Sequence, residues 1–154
     1  MKVLMVCLGN ICRSPLAEGI LKHKVQKLGL NWHIDSAGTG DWHIGELPDH
    51  RSIAIAKQYG LDLTDQRARL FKRTDLDAFD LILVMDKSNY QDITRFANSD
   101  IQRQKIKLIM NFATPDSNEI IPDPYLDNRF ELVYQLLDKA CDAVIEAHAE
   151  KERS

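Results

Sequence analysis

An apolar run, KVLMV, ends in Cys7, and six residues later stands Arg13, followed by Ser14 and Pro15. A cysteine sulfur is a nucleophile once it is a thiolate. An arginine presents a planar fork of donors that holds two phosphate oxygens at once. Between them, Gly9 and Asn10 tolerate the backbone angles a loop needs to turn successive N–H groups onto one anion. The loop Cys7-Leu8-Gly9-Asn10-Ile11-Cys12-Arg13-Ser14 leads into a helix start, where unpaired N–H groups and the helix dipole favour phosphate. That setting favours the Cys7 thiolate, and the Ser14 hydroxyl is placed to donate to it, or to it as a leaving group. Nucleophile and anion then share one site, and the chemistry is attack of sulfur on phosphorus. A plainer reading takes Cys7 as a small core residue, Arg13 as a surface residue and Gly-Asn as a turn. The position between a buried strand and a Ser-Pro helix start favours the catalytic one. No lysine follows as in a nucleotide-binding GxxxxGK[ST] loop, so ATP or GTP chemistry is disfavoured.

Displacement at a phosphate monoester also needs a proton for the leaving oxygen. Asp123, in IIPDPYLD, is the candidate. Pro122 and Pro124 restrict the backbone on both sides of it, and Tyr125 can stack on an aromatic substrate. Asp-Pro is also a common turn dipeptide, and both readings of Asp123 stay open on the residues alone.

These side chains need a frame. Residues 2–6 predict a fully buried strand. Pro15 at a first helical position, Leu16, Ala17, Ile20, Leu21 and Leu28 at about helical spacing, and Gly29 predict a helix over 15–28. WHIDS, 32–36, reads as a short strand, AGTGDWHIGELPDH as a long loop, and 50–59 as a helix ended by Gly60. FDLILVM, 79–85, is a second buried strand, and DKSNYQDITRF a helix capped by Asp86. KIKLIM, 105–110, is a fourth strand. The last helix, about 129–147, gathers Leu132, Val133, Leu136, Leu137, Ala140, Cys141, Val144 and Ile145 on one face, and the polar tail 148–154 frays. Strands alternating with helices predict an α/β fold with a mostly parallel sheet covered on both faces. Ligands bind at the carboxyl ends of such strands, where Cys7 sits.

The 154 residues predict one domain, 1–154, large enough for a core without metal or disulfide staples. A net charge of -3 argues against a general nucleic-acid binder, so any field for anions must be built locally. No stretch is apolar enough for membrane insertion, and the N-terminus does not read as a secretory signal. Three cysteines are no disulfide framework, so a reducing cytoplasm is the expected compartment. Five scattered histidines without HExxH or HxH argue against a zinc site.

VCLGNICRSP, DSAGT at 35–39, FDLILVMD at 79–86 and DPY resemble the low-molecular-weight protein tyrosine phosphatases, over nearly the whole chain. The resemblance implies a four-stranded parallel sheet flanked by helices on both faces, with the phosphate-binding loop after the first strand. It implies Cys7 as the nucleophile that becomes phosphocysteine, Arg13 as the clamp on the phosphoryl oxygens, and Ser14 as the residue that tunes the thiolate. Asn10 would shape the loop, with Ser36 as its hydrogen-bonding support. Asp123 would protonate the leaving phenolate and then serve as base toward water. No metal or cofactor is implied. The partners implied are tyrosine-phosphorylated proteins, with phosphate and other oxyanions as competitors, and a monomer or weak self-association.

Ile11 stands where the family's arginine-phosphatase branch carries threonine, which favours phosphotyrosine. Trp42 matches an aromatic wall opposite Tyr125, a slot deep enough for a phenyl phosphate and too deep for phosphoserine. An ordinary half-buried loop tryptophan is the alternative. Cys12 matches members in which this cysteine is the redox partner of the nucleophile, a Cys7–Cys12 disulfide that protects the sulfur reversibly. Its alternative is a small residue in a tight loop; Cys141 reads as core. Gln66, in QRAR, replaces a histidine that supports the loop asparagine, and its amide donor is expected to keep that support. Leu126 and Asp127 follow DPY in place of a second tyrosine and a glycine, so regulation through a tyrosine pair is not expected.

Rival functions are a thiol arsenate reductase, a catalytically dead anion-binding module, and a redox sensor built on Cys7 and Cys12. The first lacks its relay cysteines in 80–100, and the intact Cys7, Arg13 and Asp123 argue against the second. The third is compatible with catalysis.

Overall fold

The computed structural model describes residues 1–153. Four strands, β1 (Lys2–Cys7), β2 (His33–Gly38), β3 (Leu81–Val84) and β4 (Ile106–Leu108), form one sheet in the order β2-β1-β3-β4. Every pairing is parallel, with Cys7 opposite Gly38 and Val6 opposite both Ala37 and Val84. The helices are α1 (Arg13–Lys27), α2 (His50–Gln58), α3 (Asp75–Ala78), α4 (Lys87–Thr94), α5 (Asp100–Lys105), α6 (Met110–Ala113) and α7 (Phe130–Arg153).

Side chains alternate across a strand, and β1 shows why its whole run is apolar. Val3, Met5 and Cys7 point into one core with Leu16, Leu21, Val133, Leu137 and Val144, beneath α1 and α7. Leu4 and Val6 point into the other, with Phe71, Leu76 and Ile93 from the side of α3 and α4. Leu81 and Leu83 of β3 join the first core, Ile82 and Val84 the second. The expected sheet with helices on both faces is thus present.

Helix ends follow their sequence signals. Gly29 and Gly60 close α1 and α2 with φ of 68° and 81°, a region open to glycine at little cost. Asp86 caps α4 by accepting the Asn89 N–H at 2.9 Å.

Several expectations differ. The fourth strand is only Ile106–Leu108, because Lys105 ends α5 and Met110 starts α6. Helix α1 begins at Arg13 rather than Pro15, because the loop itself turns into the helix. The short helices α3, α5 and α6 escape hydrophobic patterning because each spans about one turn. Leu132 is exposed and lies off the buried stripe of α7. Helix α7 extends past 147 to Arg153, Ala149 is buried, and the His148 ring meets Trp32 and Phe112 at 6.4 and 5.5 Å between centroids. Ser154 lies outside the described residues.

Candidate active site

The strand order reverses between β1 and β3, so the loops after these two strands share one crevice. The first supplies Cys7–Ser14 and the second Asp86. The loop around Cys7 is tied outward by its carbonyls. Thr39 N–H donates to Cys7 O at 3.0 Å, Gly40 N–H to Leu8 O at 2.8 Å, and Asp49 N–H to Ile11 O at 2.8 Å. The Ser52 hydroxyl donates to Cys12 O at 3.2 Å. With these carbonyls held from outside, the N–H groups of the turn are available to an oxyanion, as in other loops that bind phosphate. Gly38 permits this fit, since a Cβ there would lie 2.9 Å from Leu8 O.

Asn10 is the pin of the loop. Its φ is 57°, the left-handed region that asparagine tolerates better than most residues. Its side chain is buried with every polar group paired. Nδ2 donates to Ser14 Oγ at 2.8 Å and to Ser36 Oγ at 2.9 Å, and Oδ1 accepts the Arg69 N–H at 2.9 Å. Ser36 Oγ donates onward to Glu18 Oε1 at 2.6 Å. Ser14 Oγ lies 3.0 Å from Cys7 Sγ. Ser36 therefore holds Asn10 by a hydrogen bond.

Gln66 does not. Its Nε2 donates to Pro15 O at 3.0 Å, one turn into α1, and its buried Oε1 has no partner. The support expected of Gln66 for Asn10 comes instead from Ser36 and the backbone of Arg69. The amide reaches the first turn of α1, not the loop asparagine.

Arg13 is 3% exposed and held by Asp86 Oδ2 at 2.7 Å and by Ile121 O at 2.9 Å, both through Nη1. Its Nη2 lies 3.9 Å from Asp123 Oδ2. Burial works against the guanidinium charge, but the facing Cys7 and the Asp86 hydrogen bond outweigh it and push its pKa up. Asp123 is half exposed, and its Oδ1 accepts the Tyr125 N–H at 3.1 Å. A cavity of about 90 Å³ is lined by Cys7, Leu8, Gly9, Ile11, Cys12, Arg13, Asp123 and Tyr125. The surface has larger grooves, the largest about 730 Å³ beside β4 between Tyr90 and Asn118, but none of those holds this chemistry.

Trp42 does not line that cavity. Its ring lies over Gly40, where a Cβ would come within 1.9 Å of Cζ3, and it borders the neighbouring groove. Tyr125 is a wall of the cavity, and Leu8 borders both the cavity and the groove that holds the tryptophan. Cys12 is buried and its sulfur is free; burial, helped by the charges of Asp49 and Cys7, pushes its pKa up to about 12. It stays a thiol at neutral pH. Cys141 is buried in the core, as read from the sequence.

Three contributors were not legible as site residues. Asp86 was seen as a cap, but its second oxygen holds Arg13. Glu18 stands four residues after Ser14, on the same helix face, a polar residue on a buried side that helical spacing could have flagged. Arg51 stacks between Tyr125 and Phe130, 5.4 and 4.8 Å from the ring centroids, and is bound to Asp49 by Nε and Nη2, both at 3.0 Å. It steadies the Asp123–Tyr125 loop, and nothing local in the sequence signals that.

A thiol, a held guanidinium and a carboxyl around one anion-sized cavity define a cysteine-based phosphatase site on a parallel α/β sheet. Residues 2–154 match the family model described as low molecular weight phosphotyrosine protein phosphatase. A curated relative of that name from Sus scrofa is 42% identical over 149 residues, which is 94% of this chain and 93% of the relative. The crystal structure of a protein tyrosine phosphatase from Entamoeba histolytica superposes with a TM-score of 0.91 at 35% identity, covering 99% of each chain. A drosophila arginine phosphatase structure superposes at 0.89 with 36% identity, covering 96% of this chain and 98% of its own. The chain belongs to the low-molecular-weight protein tyrosine phosphatase family. It is an enzyme that hydrolyses phosphotyrosine monoesters through a phosphocysteine, with an aspartic acid as general acid and base.

Proposed function

We propose that Cys7 is the nucleophile, Arg13 the phosphoryl clamp and Asp123 the general acid of this reaction. The observation that carries the assignment is that all three side chains line one cavity of about 90 Å³. The Cys7 sulfur attacks phosphorus in line with the leaving oxygen. The P–O bond to the phenol breaks, and Asp123 gives its proton to that oxygen. Charge on the three equatorial oxygens is met by the loop N–H groups and Arg13. Asp123, now a carboxylate, takes a proton from water, whose oxygen attacks the phosphocysteine. The sulfur leaves as thiolate, accepting a hydrogen bond from Ser14, and inorganic phosphate departs. Leu8, Gly9, Asn10, Ile11 and Cys12 form the cradle.

Tyrosine-phosphorylated proteins are the substrates we assign, with phosphate and other oxyanions as competing ligands. Ile11 and the Tyr125 wall support a phenyl phosphate over phosphoarginine, the chemistry named for one structural neighbour. The expected compartment is the cytoplasm, and the expected state a monomer or weak self-association. Cys12 beside Cys7 in the cavity wall supports a protective, reversible disulfide between them. Among the described residues, no helix is long and apolar enough to cross a membrane. Initial rates on matched phosphotyrosine, phosphoserine and phosphoarginine peptides test the substrate assignment. Phosphotyrosine should be turned over fastest, and a faster rate on phosphoarginine would reverse it.

A further inference from the structure

The catalytic cavity is not the end of the exposed surface at this edge of the sheet. Leu8, whose backbone follows Cys7, also lines an adjoining groove of about 480 Å³. The groove continues past Trp42 and Leu70 to Phe96, Arg73 and Arg95. Four of its five large apolar members are exposed, Trp42 by 67%, Leu8 and Phe96 by 40% each, and Leu70 by 39%, while Phe71 is buried beneath them. Single exposed apolar residues are ordinary, but four on one groove beside a catalytic cavity are the mark of a contact surface. The Trp42 ring is seated rather than loose, because Gly40 beneath it has no side chain to lift it.

The groove's charge is the opposite of the chain's. The protein as a whole carries -3, yet this groove holds two guanidinium groups and one carboxylate. Arg95 faces Asp92 at 3.8 Å across an exposed surface. Arg73 stacks over Phe96, 5.2 Å from the ring centroid, and makes no ion pair among the described residues. One cation is thus left beside an open aromatic face.

We propose that this groove binds the polypeptide next to the phosphotyrosine, and that it takes an apolar side chain neighbouring a carboxylate. The inference rests on the phosphatase reading of the cavity. A phosphotyrosine seated over Cys7 brings its own backbone to the rim at Leu8. At about 3.3–3.6 Å per extended residue, its near neighbours reach Trp42 and Phe96. The apolar side chain packs among Trp42, Leu70 and Phe96, and the carboxylate meets Arg73. A second copy of this chain is the other occupant the surface would accept, and the experiment separates the two.

The test compares kcat/KM on three phosphotyrosine peptides, each divided by kcat/KM on p-nitrophenyl phosphate. The peptides carry Leu and Glu, Leu and Lys, or Gly and Ser on both sides of the phosphotyrosine. The wild type should favour the Leu/Glu peptide over the Gly/Ser peptide by about tenfold. Arg73→Glu should turn the preference of Leu/Glu over Leu/Lys around, a change of about fivefold. Phe96→Ser should remove most of the advantage of either leucine peptide. A wild type that treats the three peptides alike overturns the subsite, as does a preference that survives Arg73→Glu. Sedimentation of the same proteins completes it: a dimer dispersed by Phe96→Ser, with the peptide ratios unmoved, makes the groove a self-association surface and overturns the proposal. Failure of the wild type on p-nitrophenyl phosphate would be a different result, overturning the phosphatase reading itself.

Discussion

Asn10 Nδ2 donates to Ser14 Oγ at 2.8 Å, which leaves the serine its own proton to give elsewhere. A hydroxyl has one proton to give. Ser14 accepts from Asn10, and its own hydrogen can go to Cys7 Sγ, 3.0 Å away, when that sulfur is a thiolate with no proton to give. The second amide hydrogen goes to Ser36, whose own proton goes to Glu18. Two donor paths thus leave the Asn10 amide, one through Ser14 toward the sulfur and one through Ser36 to Glu18.

Ser14→Ala removes the donor aimed at the sulfur. A hydrogen bond to a charged group is worth about 1.5–3 kcal/mol, so turnover should fall by about one to two orders of magnitude. The loss should fall on release of the phosphocysteine, where sulfur leaves as thiolate. Rapid-mixing assays with p-nitrophenyl phosphate should then show a burst of phenol followed by a slow steady state. A loss confined to the burst would place the role of Ser14 in the attack instead.

Asp86 carries two tasks, one on each oxygen: Oδ2 holds Arg13 and Oδ1 caps α4. Asp86→Ala should destabilise the fold by about 3–5 kcal/mol, because it leaves the buried guanidinium without its main partner. Asp86→Asn keeps a capping oxygen and should recover about 1 kcal/mol of that loss. Both should lower kcat/KM, since Arg13 is then drawn toward Asp123. Urea unfolding beside phosphatase assays separates the two tasks; full activity in Asp86→Asn would show that the charge on Asp86 does not matter to Arg13.

Burial pushes the Glu18 carboxyl pKa above its ordinary 4.5, even though Lys22 and Ser36 pull it down. A carboxyl raised on folding contributes stability below its unfolded pKa and loses it as pH rises through the folded one. The stability of the wild type relative to Glu18→Gln should thus be greatest below pH 4.5 and shrink toward neutrality. Unfolding free energies of both proteins across that range check it. A difference that grows with pH would mean that the Lys22 and Ser36 contacts outweigh burial.

The sequence carried the sheet and the loop because both are local signals. An apolar run such as LILV declares a strand buried on both faces, and Gly29 and Gly60 declare helix ends. Cys7, Arg13 and Ser14 lie within eight residues, so their meeting needs no tertiary information. The missed contacts join distant parts of the chain. Asp86 and Arg13 are 73 residues apart, and only the adjacency of β1 and β3 brings them together. Trp42 and Gln66 were placed by the motifs around them, but a ring resting on Gly40 and an amide reaching Pro15 depend on packing that no motif encodes.

Asp123 stands 3.9 Å from Arg13 Nη2 and lines the cavity with it, which suits the general-acid role proposed for it. Asp123→Asn should cut turnover of phenyl phosphate by about 10²–10⁴-fold, the usual worth of a general acid. On p-nitrophenyl phosphate, whose phenolate leaves without a proton, the loss should be much smaller. A plot of rate against leaving-group pKa should steepen in the variant. Equal losses across the series would remove Asp123 from proton transfer.

The central claim is that the Cys7 sulfur takes the phosphoryl group. Hydrolysis of p-nitrophenyl phosphate in EDTA under reducing conditions, by the wild type and by Cys7→Ser, tests it most directly. The prediction is brisk turnover by the wild type and none by the variant, with the phosphoryl group trapped on the Cys7 peptide of quenched wild-type enzyme. Activity that survives Cys7→Ser would contradict it.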